Sequence, residues 1–256
     1  DLRNCTVAII GLGYVGLPLA VELAKRQKCF LTGKNLDRKV IGFDIDKNRL
    51  EELNNYFDRT NEISKDELSN NIFYKLTSEI KDIISADVFI ITVPTPIDNH
   101  KNPKLEALRN ASILVAKTLK IKKEKIIDSD KKIIPIVLYE STVYPGTTEE
   151  ICIPLIERES GLICDDSKSS KSFSCGYSPE RINPGDKKHN LKNVVKIVSG
   201  SNNYSTKIIN NIYKKIVNKT YVVSSIKIAE SSKIIENTQR DINIALMNEF
   251  SKIFNK

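Results

Sequence analysis

Three glycines near the start of the chain are the first residues with a clear chemical use. Gly11, Gly13 and Gly16 follow an apolar run and open a helix-like stretch in the order G-x-G-x-x-G. In such a turn the first glycine bends the chain out of a strand, the second lets the backbone approach a pyrophosphate, and the third lets the helix pack closely on the sheet. The positive end of the helix then faces the phosphates. The pattern therefore predicts a dinucleotide site.

A carboxylate stands where a dinucleotide needs one. A second apolar run ends at Asp44, and an acid at the tip of the second strand binds the hydroxyls of the adenosine ribose. Because a carboxylate there would repel a 2′-phosphate, Asp44 favours NAD over NADP. Its separation from Gly16 exceeds the usual spacing of about 20 residues, and we attribute the excess to an insertion at residues 29–39. A plain glycine-rich turn in another α/β protein is the alternative interpretation.

A further polar group lies on the last predicted helix. Lys233, Asn237 and Arg240 have the spacing of residues that share one helix face. A solvated helix face is the simpler interpretation, and these residues alone favour it. Apolar residues lie on roughly the opposite face, which would need a partner: Ile235, Ile242 and Leu246.

Hydrophobic patterning predicts a scaffold in which strands alternate with helices, an α/β fold of Rossmann type with a doubly wound, mostly parallel sheet followed by a long α-helix. The predicted strands are residues 6–10, 40–44, 72–76, 87–92, 133–139, 174–177, 194–198 and 220–223. The predicted helices are residues 14–27, 47–54, 78–84, 105–119, 147–159, 204–217 and about 226–254. Residues 122–132 and 165–172 resemble expanded surface loops.

Three of the predicted strands end in loops that contain proline. The loops begin at Thr92, Glu140 and Ser178 and read TVPTP, ESTVYPG and SPERINPG. Ligands of open α/β sheets bind beyond the carboxyl ends of the strands, so we expect these loops to converge on the cofactor. Ordinary turns are the alternative interpretation.

Composition and charge indicate which partners and which compartment to expect. The 256 residues carry a net charge of +8, but the lysines fall in short patches without interleaved aromatics, so we expect no nucleic-acid partner. No apolar run reaches the length of about 18 residues that a membrane span needs, and we expect no membrane partner. Five cysteines without a CxxC motif indicate free thiols in a reducing compartment, hence a cytoplasmic protein. We predict no metal site.

Five motifs together identify a family: IGLGYVGLPLA, TVPTPID, YESTVYPG, GYSPERINPGD and KIIENTQRDINIALMNE. With them the chain resembles the UDP-glucose/GDP-mannose dehydrogenase family, and within it the 6-dehydrogenases of UDP-N-acetylglucosamine and UDP-N-acetylgalactosamine. The resemblance implies oxidation of the C6 hydroxyl of a UDP-N-acetylhexosamine to the uronic acid, with two NAD per sugar, for acidic surface polysaccharides. A UDP-N-acetylmannosamine or UDP-glucose 6-dehydrogenase is one alternative. A truncated, non-catalytic NAD-binding module is another.

The resemblance also assigns roles to residues at matching motif positions. The cofactor-binding residues would be Gly11, Gly13, Tyr14, Val15, Gly16, Asp44, Arg49, Val93, Pro94, Thr95, Ser141 and Thr142. The catalytic residues would be Glu180 as acid/base, Lys233 and Asn237 at the sugar oxygen, and Thr142 at the hydrolytic water. The residues in contact with the UDP-sugar would be Glu180, Arg181, Ile182, Asn183, Lys233, Asn237 and Arg240. Removal of a hydride from C6 requires the hydroxyl proton to leave, and the developing oxyanion needs such donors.

By the same resemblance, residues 1–224 form the NAD-binding domain and residues 225–256 begin the central helix through which a homodimer forms. The family's second oxidation needs a cysteine in a glycine-rich segment after that helix, and none of the five cysteines has this context. We therefore expect the chain to lack that cysteine and the C-terminal UDP-binding domain. It would then bind NAD without full turnover.

Overall fold

The computed structural model describes residues 5–25, 39–70, 75–125, 134–165, 172–180 and 194–254. The strands in this part of the chain are β1 (Thr6–Ile10), β2 (Lys39–Phe43), β3 (Lys75–Thr77), β4 (Val88–Ile91), β5 (Ile136–Tyr139), β6 (Ile163–Cys164), β7 (Ser172–Tyr177), β8 (Val195–Gly200) and β9 (Lys219–Val222). The helices are α1 (Gly16–Ala24), α2 (Lys47–Asn54), α3 (Lys65–Asn70), α4 (Ile80–Ile83), α5 (Glu106–Lys125), α6 (Ile153–Ser160), α7 (Asn203–Tyr213) and α8 (Ile226–Phe254). A π-helical turn, Thr148–Cys152, leads into α6.

The nine strands of the described residues form one sheet in the order β3-β2-β1-β4-β5-β7-β8-β9, with β6 paired to β7 beside this path. All pairs are parallel except β7 with β8. The strand order reverses between β1 and β4, which is where open α/β sheets bind ligands. The predicted Rossmann-type fold with a mostly parallel sheet and a long final helix is confirmed.

The strand register brings five strand ends to one level. Ile10 pairs with Phe43 on one side and Ile91 on the other. Ile91 in turn pairs with Tyr139, and Tyr139 with Tyr177. The next residue of each chain segment therefore emerges at the same edge of the sheet: Gly11, Asp44, Thr92, Glu140 and Ser178.

Both faces of the sheet are buried, which explains the near-continuous apolar character of its strands. Val7 and Ile9 of β1 pack into one cluster with α1 and α7, whereas Ala8 and Ile10 pack into a second cluster with α5 and α6. The free cysteines Cys152, Cys164 and Cys175 belong to this packing or lie beside it, and Cys175 in β7 is fully buried.

Some predicted boundaries were wrong. The loop predicted at residues 122–132 begins inside α5, which runs to Lys125, because the buried Lys122 ammonium bonds the Ala86 carbonyl at 2.5 Å. The loop predicted at residues 165–172 has structured ends: Asp165 bonds Asn202, and Ser172 begins β7. The short elements α3 and β6 were not predicted. The insertion predicted at residues 29–39 lies outside the described residues except Lys39, which begins β2. No helix in the described ranges combines the length and apolar character needed to cross a membrane.

Candidate active site

The glycine-rich turn is tight because the start of α1 packs directly against the Gly11 peptide and the end of β4. Gly11 has a φ of +99° and its N–H donates to the Phe43 carbonyl at 2.8 Å. A Cβ on Gly16 would lie 1.9 Å from the Gly11 carbonyl oxygen and 2.4 Å from Thr92 Oγ1. Thr92 Oγ1 itself donates to the Gly11 carbonyl at 2.8 Å. The third glycine therefore lets the helix close on the turn itself and on the end of β4.

The middle of the turn faces open space. A Cβ on Gly13 would meet nothing within 4 Å, and the residue that precedes α1, Val15, forms no side-chain cap. An uncapped helix start presents backbone N–H groups and the positive end of the helix dipole to an anion. This cradle fits the pyrophosphate of a dinucleotide.

Asp44 orders the turn from the tip of β2. One carboxylate oxygen accepts the Leu12 N–H at 2.7 Å, and the other accepts the Asp46 N–H at 2.9 Å. A carboxylate has about four acceptor positions, so both oxygens can still accept further hydrogen bonds. The side chain is half-buried beside the turn. A contact between Asp44 and the ribose hydroxyls is compatible with this geometry and stays a prediction.

Arg49 supports the same turn from inside the protein. Its side chain is 2% exposed. Nε donates to the Leu12 carbonyl at 2.9 Å, and an Nη donates to Asp58 at 2.7 Å. Burial acts to raise the pKa of Asp58, but hydrogen bonds from Thr60, Arg49 and backbone amides outweigh it and lower that pKa. Arg49 thus links the turn to a buried carboxylate, and its assigned contact with NAD stays a prediction.

Hydrogen bonds join the loop after β4 to the loop after β5. Ser141 Oγ donates to the Val93 carbonyl at 2.6 Å, and Thr95 Oγ1 donates to the Thr142 carbonyl at 2.5 Å. From β7, the Tyr177 hydroxyl donates to the Ser141 carbonyl at 3.1 Å. The expected convergence of the proline-containing loops is therefore present in the described residues.

The predicted cofactor-binding residues differ in their access to this edge. The exposed ones are Gly13, Tyr14, Pro94 and Thr142. The half-buried ones are Gly11, Asp44, Val93 and Thr95, and the buried ones are Val15, Gly16, Arg49 and Ser141. The buried members shape the turn and the loops, whereas the exposed members have access to a ligand.

Glu180 follows β7 at the same edge of the sheet as the glycine-rich turn. Burial raises the pKa of the Tyr14 hydroxyl, and the nearby charges of Glu180 and Glu62 raise it further. Glu180 itself is buried at the end of the described segment 172–180. The structure thus places the predicted acid/base residue and the predicted cofactor turn at the same edge of the sheet. The remaining predicted substrate contacts on this loop, Arg181, Ile182 and Asn183, lie outside the described residues.

A buried ionic network lies directly beneath these loops. Lys196 Nζ of β8 donates to Glu140 at 2.7 Å and to the Pro179 carbonyl at 3.1 Å. The Tyr213 hydroxyl of α7 donates to the other Glu140 oxygen. The Lys196 and Glu140 side chains are 1% and 2% exposed. Sequence reasoning assigned no role to this network, although a lysine between the apolar residues of a strand was a signal.

The start of α8 is fixed to the loop after β5 by a carboxylate that the sequence did not single out. Glu230 accepts the Gly146 N–H at 2.6 Å and the Thr148 N–H at 2.9 Å. It is fully buried, and burial raises its pKa. Lys233, one turn later, is half-buried, and Asn237 is exposed. Glu230 thus sets the position of the helix that carries both predicted catalytic residues.

Beyond Asn237, α8 leaves the body of the protein. Arg240 is exposed and pairs with Glu236 at 3.0 Å. The large apolar side chains of this part of α8 are also exposed, as is Ile235 just before it: Ile242, Ile244, Leu246, Met247, Phe250, Ile253 and Phe254. No group of three or more His, Cys, Asp or Glu side chains within the described ranges could hold a metal ion.

Comparison with known proteins identifies related chains. The family model "UDP-glucose/GDP-mannose dehydrogenase family, NAD binding domain" matches residues 5–217. Protein CapL of Staphylococcus aureus is 48% identical over 99% of this chain and 53% of its own length. The UDP-N-acetyl-D-glucosamine 6-dehydrogenase of Pseudomonas aeruginosa is 45% identical over 100% of this chain and 54% of its own. The chain thus spans about half the length of these curated relatives.

A solved structure shares both fold and sequence. The UDP-D-ManNAc dehydrogenase of Pyrococcus horikoshii superposes with a TM-score of 0.75 at 30% identity. The match covers 96% of this chain and 53% of the archaeal one.

Proposed function

Because the chain belongs to the UDP-glucose/GDP-mannose dehydrogenase family, we propose that the protein oxidises the C6 hydroxyl of a UDP-N-acetylhexosamine to the uronic acid, using NAD. One observation carries the proposal: the glycine-rich turn, Thr142 and Glu180 follow parallel strands that end level at one edge of the sheet, and the loop of Thr142 is hydrogen-bonded to the loop after β4. We propose UDP-N-acetylglucosamine as the sugar, since the relative at 45% identity bears that name and the mannosamine enzyme is only 30% identical.

Different residues of this chain bind the cofactor and accept the proton. The open face of Gly13 and the uncapped start of α1 hold the pyrophosphate, and Asp44 holds the ribose hydroxyls. At this site bound NAD would supply the acceptor for the hydride that leaves C6. Glu180 receives the proton of the C6 hydroxyl, because a hydride cannot leave until the oxygen begins to lose that proton.

Residues of α8 complete the site. The ammonium of Lys233 and the amide of Asn237 stabilise the negative charge that develops on the oxygen. Thr142, exposed at the same edge, orients the water that hydrolyses the thioester, the intermediate that the family forms on the cysteine of its second oxidation. Arg181, Ile182, Asn183 and Arg240 bind the nucleotide sugar.

We further propose how the chain is divided and assembled. Residues 1–224 are the NAD-binding domain, and residues 225–256 begin a central helix that pairs with a second copy in a homodimer. The exposed apolar side chains of α8 support this pairing. The free thiols of Cys152, Cys164 and Cys175 support a reducing compartment, the cytoplasm.

The test is NADH formation by the longest natural form of the protein. The absorbance of NADH is followed with UDP-N-acetylglucosamine, UDP-N-acetylgalactosamine, UDP-N-acetylmannosamine and UDP-glucose in parallel. We expect two NADH per sugar and a clear preference for UDP-N-acetylglucosamine. No NADH with any of the four sugars, from protein that still binds NAD, would refute the proposed activity and favour a binding module.

A pair of lysine variants of α8 tests the site. Lys233→Met removes the proposed oxyanion donor and should lower kcat by roughly 100-fold or more. Lys227→Met is the matched control, because Lys227 lies on the same helix but pairs with Glu150 on the surface at 2.7 Å. Equal rates for the two variants would remove Lys233 from the mechanism.

A further inference from the structure

We propose that Lys196 is a positioning residue for the oxidation: together with Glu140 it fixes the loop of Thr142 and the peptide of Glu180 in one relative geometry. This inference rests on the proposed function, because it assigns Glu180 and Thr142 to the reaction. Lys196 would touch neither NAD nor the sugar. It would act only through the two loops that it holds.

Lys196 is the meeting point of three elements. Its Nζ donates to the Glu140 carboxylate, which stands at the end of β5, and to the Pro179 carbonyl after β7. The ammonium also lies 5.0 Å from the centre of the Tyr213 ring of α7. The Tyr213 hydroxyl donates to Glu140 from the other side. One buried cation therefore connects the starts of both loops.

The bond to Pro179 acts directly on Glu180. The peptide unit is planar, so the Pro179 carbonyl and the Glu180 N–H are parts of one rigid group. When Lys196 fixes the direction of this carbonyl, it fixes the plane from which Glu180 begins. The Ser178 hydroxyl adds a second bond from the same loop to β8, with the Ile197 carbonyl as acceptor at 2.6 Å.

The bond to Glu140 acts on the other loop. Glu140 immediately precedes Ser141, whose hydroxyl bonds the Val93 carbonyl, and Thr142, whose carbonyl accepts from Thr95. A shift of Glu140 would therefore displace the loop next to the cofactor turn. Misplacement of reacting groups by about 1 Å can cost roughly 100-fold in rate.

A buried ion pair of this kind has a purely structural alternative explanation, and the chain contains a control for it. Lys122 is also buried, and its ammonium donates to the Ala86 carbonyl at 2.5 Å and to Asp87 at 3.3 Å. This pair lies at the opposite edge of the sheet, because Asp87 precedes β4. The Lys122–Asp87 pair is likewise a buried ammonium with a carboxylate, but it does not contact the loops of the proposed active site.

The test compares two neutral double variants of the longest natural form of the protein. Lys196→Met alone would leave Glu140 charged and buried without its cation, which endangers folding. Glu140→Gln with Lys196→Met removes both charges, and Lys122→Met with Asp87→Asn does the same at the opposite edge. Tyr213→Phe is the mild variant in case the first pair does not fold.

We expect the Glu140/Lys196 double variant to lose roughly 10- to 100-fold in kcat and to shift the acidic limb of its pH–rate profile. The KM for NAD should rise less than kcat falls, because the glycine-rich turn that holds the pyrophosphate is untouched while the loops of Val93 and Ser141 are displaced. The Lys122/Asp87 double variant should keep the wild-type kcat and profile. An equal loss of kcat in both double variants, or no loss in the first, would overturn the proposal.

A second measurement does not depend on turnover. Burial raises the pKa of the Tyr14 hydroxyl and the charge of Glu180 raises it further, so the ionisation of Tyr14 can be followed by fluorine NMR of fluorotyrosine-labelled protein, with the signal assigned by Tyr14→Phe. We expect the Glu140/Lys196 variant to shift the Tyr14 titration toward that of Glu180→Gln. An unchanged Tyr14 titration would overturn the positioning role. If the wild-type protein oxidises no UDP-sugar, the proposed function fails and this titration alone decides the role of Lys196.

Discussion

Replacing Gly16 by alanine should damage both the fold and the cofactor site, whereas the same change at Gly13 should damage only the site. The added Cβ at Gly16 would lie 1.9 Å from the Gly11 carbonyl oxygen. Contacts of Cβ atoms below 3.0 Å essentially do not occur, so two backbone segments must separate by about 1 Å. At Gly13 the added Cβ meets nothing, and the residue is not among those with positive φ.

These contacts determine how far Gly16→Ala should lower Tm and how far Gly13→Ala should raise the Kd for NAD. Overpacking against backbone costs about 3 kcal/mol, and the higher helix propensity of alanine returns up to about 1 kcal/mol. The net loss of about 2 kcal/mol corresponds to a Tm lower by about 4–8 °C for a domain of this size. Gly13→Ala should leave Tm within about 2 °C of wild type. Its methyl group occupies the approach to the pyrophosphate, so the Kd for NAD should rise roughly tenfold or more.

Two assays separate these outcomes. Tm is measured by differential scanning calorimetry without NAD, and the Kd for NAD by isothermal titration at a temperature where both variants are folded. A wild-type Tm for Gly16→Ala would show that the turn is looser than the 1.9 Å approach requires. A wild-type Kd for Gly13→Ala would show that the pyrophosphate does not cross this glycine.

Three further changes test neighbouring parts of the site. Asp44→Asn should raise the Kd for NAD about tenfold and reduce discrimination against NADP, because the charge that repels a 2′-phosphate is lost; unchanged cofactor preference in parallel titrations would contradict this role. Asp58→Asn should lower the free energy of unfolding in urea by about 3 kcal/mol, because the buried Arg49 loses the nearer and fully buried of its two carboxylate partners and keeps Glu52 at 3.5 Å. Because the folded-state pKa of Asp58 is lowered, the stabilising contribution of its carboxylate is fully present above pH 3.8, the ordinary pKa of the group, and is lost as pH falls further. Asp58→Asn should not show this loss of stability at low pH. Burial raises the folded-state pKa of Glu230 above its ordinary value of 4.5. The contribution of Glu230 to stability therefore falls as pH rises from 4.5 through this higher pKa. The stability of wild type relative to Glu230→Gln, measured by urea unfolding at several pH values, should therefore decline from pH 4.5 upward, and a constant difference would contradict the shift.

Much of the fold could be predicted because its signals are local. Apolar runs of four to six residues mark the strands of a sheet buried on both faces, and α8 was predicted with its observed bounds. Errors fell on short or intermediate elements. The three-residue β3 was predicted too early, and α5 was predicted too short because Lys122 was taken as a surface residue. Lys122 lies in a lysine-rich run and gives no local sign that its ammonium will reach a buried carbonyl.

The sequence by itself determined the family, the fold class and the edge of the sheet at which the chemistry lies. Glycine spacing and the residues that follow each strand are properties of short segments, and parallel strands place their ends together. Tertiary structure alone decided which polar side chains face inward. Lys196, Glu140 and Tyr213 are distant in sequence, and only the pairing of β7 with β8 and the packing of α7 bring them together. The same holds for Arg49 beneath the turn and Glu230 beneath the loop, since a buried charge is stable only where folding supplies its partners.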